Sequence, residues 1–297
     1  MEEIKTVLIA GGSGLIGGQL TKVLKERGCR VYKLSRNARK QGQIQWNPKT
    51  KQIDENHLSK IHILINLAGA NIGDRNWTTT RKQELIDSRV QSTLFLSELA
   101  PKMPKLVYYI GASGVNCYDA QQAKVFHEED DYGPDFLSTL VRDWESASDQ
   151  FQGICPYMKL RIAMVLSDRG GSLNAMKRPI FFGLGSPLGS GNQYHPWIHI
   201  DDLCRIILFG IQHQLEGTFN AVADCDTNRT MMKGIAKYMR RPFFFPAVPS
   251  GILKFFLGER SMLVLSDLRV SNDKIKKIGF EFKFDKLNKA LKALFPK

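Results

Sequence analysis

The stretch Val7-Leu8-Ile9-Ala10-Gly11-Gly12-Ser13-Gly14-Leu15-Ile16-Gly17 narrows the possible folds of this chain more than any other segment. Val7 to Ala10 is an unbroken apolar run, the pattern of a strand buried on both faces of a parallel sheet. Glycines follow at Gly11, Gly14 and Gly17, and then an amphipathic segment carries Leu15, Ile16, Leu20, Val23 and Leu24. The reading is strand, glycine turn, helix. Gly11 serves a tight turn, Gly14 lets the backbone approach a pyrophosphate, and Gly17 lets helix and strand pack closely. A pyrophosphate would sit on the free N–H groups and positive dipole end of the helix. Gly11 and Gly14 stand three apart, unlike the commonest G-x-G-x-x-G form, so the strand–turn–helix context carries the inference of dinucleotide binding.

The chain has 297 residues, enough for one large domain or two intimate ones. No apolar run is long enough to span a membrane, and the Met-Glu-Glu-Ile-Lys start has no signal-peptide architecture. The cysteines Cys29, Cys117, Cys155, Cys204 and Cys225 are scattered and odd in number. They read as free thiols of a cytoplasmic protein. The formal net charge of +13 is dispersed along the sequence. A nucleic-acid footprint would cluster on one face, so the charge is read as general attraction for anionic ligands, with no nucleic-acid partner. The acidic run His127-Glu128-Glu129-Asp130-Asp131 lacks a second ligand group and is read as a surface loop, with no metal site.

The second strand, Val31 to Ser35, ends in Ser35-Arg36 without the carboxylate that binds a ribose 2′-hydroxyl. Arg36 there favours a 2′-phosphate, hence NADP(H). Ile61 to Asn66 is a further apolar strand. It runs into Leu67-Ala68-Gly69, small residues that let the backbone pass close to a cofactor ribose. One long helix is expected from Thr78 or Thr79 to about Leu99. Leu106 to Ala112 is the next strand. It places Ser113 at its carboxyl end, where an α/β enzyme sets a hydroxyl against its ligand, with Tyr118 over the same cleft. A helix over 136–151 and a strand over 156–166 follow. Gly183 to Gln193 is a Gly/Pro-rich loop of the kind that surrounds ligands. Asp201 or Asp202 is expected to cap the helix from Leu203, Thr227 or Asn228 the next one, and Asp285 the last. The alternation predicts an α/β fold, a doubly wound parallel Rossmann sheet with a smaller C-terminal α/β substrate-binding region. The dinucleotide-binding domain is expected over 1–168, completed by about 198–224. The smaller domain takes 169–197 and 225–297.

Gly11-Gly-Ser-Gly-Leu-Ile-Gly17, Leu34-Ser-Arg36, Asn66-Leu-Ala-Gly-Ala-Asn71, Arg81-Lys-Gln-Glu84, Asp87-Ser-Arg89, Arg142-Asp-Trp-Glu145 and Pro196-Trp-Ile-His-Ile-Asp-Asp-Leu203 together resemble the atypical extended short-chain dehydrogenase/reductases. The likeness is to their "epimerase family" branch, whose members are often labelled nucleoside-diphosphate-sugar epimerases or cell-division inhibitors. It extends over nearly the whole chain. The tail from about Thr230 resembles that branch's own C-terminal region of unknown function. The resemblance implies NADP(H), with the pyrophosphate at Gly11 to Gly17, the 2′-phosphate at Ser35 and Arg36, and the adenosine side at Leu67, Ala68 and Gly69. It also implies cofactor-side contacts from Glu84 and Arg89, and a backbone neighbour of the nicotinamide at Val165.

One departure bears on chemistry. Active short-chain dehydrogenases use Tyr-x-x-x-Lys, the lysine lowering the tyrosine pKa and the tyrosine moving the proton. None of the eight tyrosines here has a lysine four residues on. Where the motif belongs, the candidate pairs are Phe136 and Leu140, or Leu137 and Val141. Two readings follow. One is an NADP-dependent oxidoreductase or epimerase-like enzyme acting on a small molecule, a nucleotide-sugar or a carbonyl compound, with Ser113, Tyr118 or water handling the proton. The other is a catalytically silent NADP(H)-binding sensor acting through a protein partner.

Overall fold

The computed structural model describes residues 5–295. In chain order the strands are β1 (Thr6–Ala10), β2 (Arg30–Ser35), β3 (Gln43–Asn47), β4 (Gln52–Ile53), β5 (Ile63–Asn66), β6 (Tyr108–Gly114), β7 (Val125–Phe126), β8 (Tyr157–Ile162), β9 (Met164–Leu166), β10 (Tyr194–His199), β11 (Gly217–Ala221), β12 (Asp224–Thr227) and β13 (Arg269–Val270). The helices are α1 (Leu15–Glu26), α2 (Thr79–Asp87), α3 (Val90–Glu98), α4 (Phe136–Ser148), α5 (Ser172–Phe181), α6 (Ile200–His213), α7 (Asn228–Tyr238), α8 (Ser250–Leu257), α9 (Met262–Leu265), α10 (Asp273–Lys277) and α11 (Leu287–Leu294).

The principal sheet has eight strands in the order β11-β8-β6-β5-β1-β2-β3-β4, parallel throughout except for the short β4. The apolar run of β1 explains the layers on either side. Alternate side chains point to opposite faces of a strand. Val7 and Ile9 join Leu20 and Leu24 of α1 and Ile206 of α6 on one face. Leu8 and Ala10 join Phe95 and Leu96 of α3 on the other. The chain winds outward from β1 in both directions, so the strand order reverses between β1 and β5. The crevice at the carboxyl ends of two such strands is where open α/β sheets bind ligands.

The strand expected over 156–166 is interrupted at Ala163. Its first part, β8, stays in the principal sheet. Its second part, β9, pairs with β10 in a separate three-stranded sheet, β12-β10-β9. This crossing carries Ile162 to Val165 past the crevice.

Several local expectations are corrected. The helix expected to run unbroken from residue 78 to 99 is divided at Ser88 and Arg89 into α2 and α3. At the break Arg89 has φ −110° and ψ −64°, and its side chain turns inward. Neither Asp201 nor Asp202 caps α6. The cap is His199, whose Nδ1 accepts the Asp201 N–H. Asp202 is instead buried and accepts the backbone N–H groups of Lys283 and Phe284. Asp285 pairs with Lys289 rather than capping α11, which has no side-chain cap. The acidic run 127–131 is not wholly a surface loop, because Glu128 is buried and accepts the Asn220 N–H. Thr78 and Thr227 cap α2 and α7 as expected.

Candidate functional site

The glycine turn is built for close approach. Gly11 has φ +76°, and a β-carbon there would lie 2.4 Å from the Leu67 carbonyl oxygen. A β-carbon on Gly17 would lie 2.4 Å from the Gly11 carbonyl oxygen, so only glycine lets α1 start this near β1. No side chain caps α1, and its first turn holds no acidic residue. Gly18 is the first amide to bond back into the helix, to the Gly14 carbonyl. The amides of Leu15, Ile16 and Gly17 are therefore the open donors of a helix N-terminus, which attracts anions.

These residues open onto a cavity of about 570 Å³ at the carboxyl ends of β1, β5 and β6. It brings together most of the residues singled out in the sequence: Gly11, Gly14, Leu15, Ile16, Gly17, Leu67, Ala68, Gly69, Arg89, Ser113 and Val165 all form its wall. Gly12, Ser13, Ser35, Arg36, Glu84 and Tyr118 do not. Gly12 packs against the Lys33 side chain. The parallel register sets Ile9 beside Lys33, and Ser35 follows at the end of β2, outside the cavity. Arg36 next to it is exposed, with no ion pair among the described residues. Glu84 points elsewhere: its carboxylate is held below the usual range by a hydrogen bond from Arg81, which also binds Asp74 and the Asn71 carbonyl.

Arg89 is the inward-turned cation of the cavity. Its guanidinium donates to the carbonyls of Ala70 and Leu85 and lies over the Trp144 ring, 5.2 Å from its centroid. No carboxylate pairs with it among the described residues. Burial first, and then repulsion from Arg81, lowers its pKa to about 10. A desolvated cation without an anion is a site that gains from receiving one.

Ser113 lies in the wall, but its hydroxyl donates to Glu145 Oε1 on α4. Glu145 is locked in turn by Arg161, through Nε to Oε1 at 2.8 Å and Nη2 to Oε2 at 3.0 Å, and by the Tyr132 hydroxyl at 2.7 Å. Burial alone would raise the Glu145 pKa; Arg161 overrides it and keeps the group ionised. With its proton spent on Glu145, Ser113 presents lone pairs to the cavity and acts there as an acceptor.

Tyr118 is not over the cleft. It is buried behind it, stacked on Phe126 with ring centroids 5.0 Å apart. Its hydroxyl donates to Asn220 Oδ1 at 2.8 Å and accepts from Arg161 Nη1 at 2.9 Å. Burial pushes its phenol well above the usual tyrosine value. Four residues past the end of β6 the chain has turned away, and Tyr118 belongs to the same internal network as Glu145.

Comparison with known proteins agrees with this geometry. The family model described as the NAD dependent epimerase/dehydratase family matches residues 7–139, and one described as a domain of unknown function matches residues 248–294. An epimerase family protein of Staphylococcus aureus is 34% identical, covering 99% of this chain and all of its own. The mouse epimerase family protein SDR39U1 is 33% identical over 96% of this chain and 98% of its own. The chain belongs to the epimerase family of short-chain dehydrogenase/reductase type. The crystal structure of human epimerase family protein SDR39U1 with NADPH superposes with a TM-score of 0.90, at 31% identity over 97% of this chain and 98% of that one. The UDP-glucose 4-epimerase of Thermotoga maritima, 17% identical with a TM-score of 0.77, covers 98% of this chain and 97% of its own and shares the fold.

Within this epimerase-family chain, the face that α4 turns to the cavity explains the missing tyrosine and lysine. Leu137, Leu140, Val141 and Trp144 line the wall, whereas Phe136 packs away against Trp77. Of the two candidate registers, Leu137 with Val141 is the one whose residues both reach the cavity. Leu137, Val141 and Glu145 follow one another at four-residue steps, which stacks them on one helix face. That spacing is the sequence sign that gives Glu145, quoted above only as part of a motif, a place beside the site. Nothing comparable marked Met262, Leu263 and Leu268, which close the cavity from the C-terminal region.

Proposed function

We propose that this chain binds NADP(H) and uses it in hydride transfer with a small-molecule substrate, without a tyrosine–lysine pair. The observation that supports this most is the single cavity in which open helix-terminal amides, an unpaired Arg89 and Ser113 converge. When bound, the cofactor supplies or accepts a hydride at nicotinamide C4. The first-turn amides of α1 would hold its pyrophosphate, with Arg89 as a further anion contact. Arg36 and Ser35, at the end of β2, would take the 2′-phosphate and give the preference for NADP(H) over NAD(H). The Val165 backbone would border the nicotinamide. Ser113 would orient a donor group of the ligand through its free lone pairs. The proton would come from water, since neither Ser113 nor Tyr118 has one to give. Positioning supplies much of a hydride-transfer enzyme's acceleration, while general acid catalysis typically adds about 10²–10⁴-fold.

The apolar Leu137 and Val141 and the committed Ser113 proton also favour a second reading, a protein that binds NADP(H) and signals through a partner without turnover. One experiment separates them. Calorimetry with NADPH and NADH tests binding, and deuterium transfer from [4-²H]NADPH to a carbonyl and sugar-nucleotide panel tests turnover. Label in a product supports the enzyme. Tight NADPH binding with no label anywhere supports the second reading, and no NADPH binding ends both.

A further inference from the structure

The part of the cavity beyond Ser113 is walled by Leu137, Leu140 and Val141 of α4, by Met262 and Leu263 of α9, and by Leu268. Among the described residues, Arg89 is the only lysine or arginine on the whole cavity wall. Its guanidinium is on the cofactor side, so near Gly69 that a β-carbon there would lie 3.0 Å from Cζ. A nucleoside-diphosphate substrate carries two phosphate charges into its site and needs cations or open amides to meet them. Here the wall offers only the open amides of α1 and Arg89, and the proposed function assigns both to the dinucleotide. The polar groups in the far part are neutral: Asn116 and Ser266, whose side chains make no hydrogen bonds among the described residues, and the His195 ring. Asn116 and Ser266 each offer a donor that a carbonyl oxygen can accept, and the α4 and α9 side chains of this part add hydrocarbon.

We infer that the substrate is an uncharged carbonyl compound with an apolar body, an aldehyde or ketone rather than a nucleotide-sugar. This rests on the NADP(H) reading above. Its reduction would form a C–H bond with the nicotinamide hydride and an O–H bond with a proton from water. NADPH would be oxidised to NADP⁺ and the carbonyl reduced to an alcohol.

The test uses the full chain, first titrated with NADPH and then, in the NADPH complex, with hexanal, octanal, decanal and UDP-glucose. NADPH fluorescence gives binding and its oxidation gives turnover. Affinity should rise about fourfold for each methylene that enters the wall. UDP-glucose should neither bind nor compete. Leu263→Asp, at a half-buried position on α9, should weaken decanal binding at least tenfold and leave NADPH affinity unchanged. Flat dependence on chain length, or UDP-glucose binding more tightly than decanal, would overturn the inference. If NADPH itself fails to bind, the cofactor reading falls. The aldehyde series on the protein alone then decides the apolar subsite: steep chain-length dependence supports it and a flat response rejects it.

Discussion

The two ends of the cavity treat hydrogen bonds in opposite ways. At α1 the backbone leaves its first-turn donors open, with no capping side chain and no acidic residue to answer them. Behind Ser113 one buried polar network is answered inside the protein: Ser113 by Glu145, Glu145 by Arg161 and Tyr132, Arg161 by Tyr118, Tyr118 by Asn220. The first end is incomplete without a ligand. The second is complete, and what it turns toward the cavity is mostly hydrocarbon. In this chain the open amides and the polar network therefore have separate physical requirements: the amides await a partner from outside, and the network is satisfied from within.

The contrast can be broken at either end. Arg161→Met should have the largest effect, since it leaves Glu145 buried without its partner; losses from breaking such a pair are about 3–5 kcal/mol. Urea unfolding measures it, and a change under 1 kcal/mol would mean the network is not closed. Arg36→Ala should weaken NADPH by about 1.5–3 kcal/mol, the worth of a charged hydrogen bond, while NADH changes little. Equal losses by calorimetry would remove Arg36 from the 2′-phosphate. Tyr118→Phe leaves Asn220 Oδ1 and Arg161 each short of a partner, an expected loss of about 1–3 kcal/mol in stability with NADPH affinity unchanged. A shift in NADPH affinity would bring Tyr118 back toward the cleft. A further test is with pH. Burial lowers His195 to about 4 from an ordinary value of 6.5 and lowers His199 as well. The unfolded chain then binds more protons, so stability is whole above pH 6.5 and falls as the pH drops toward 4. His195→Gln should flatten part of that slope in melting curves taken between pH 7 and 4.5.

What was legible in the sequence was local. The apolar run, the glycine spacing and the threonines at Thr78 and Thr227 act within a few residues of themselves, and the Rossmann order follows from repeating the same unit. Arg89 shows where local signals stop. Nothing in its neighbours breaks a helix; the break comes with carbonyls of Leu85 and Ala70, one four residues away and the other nineteen. Tyr118 failed for a related reason, because distance past a strand end does not fix the direction in which the chain turns. Short polar residues before an apolar run usually cap a helix, which points to Asp201 or Asp202, but the partners of Asp202, Lys283 and Phe284, are some eighty residues later. Tyr118 and Asp202 are defined by partners far along the chain, whereas Asp285 turns to a lysine only four residues on.

Arg89 also affects how the purified protein will behave on the bench. A guanidinium turned inward and paired only with neutral groups is a standing penalty until an anion binds, and small oxyanions relieve it as well as a nucleotide can. Sulfate or phosphate buffers should thus raise the melting temperature unaided, and a thermal-shift screen run in them would understate every true ligand.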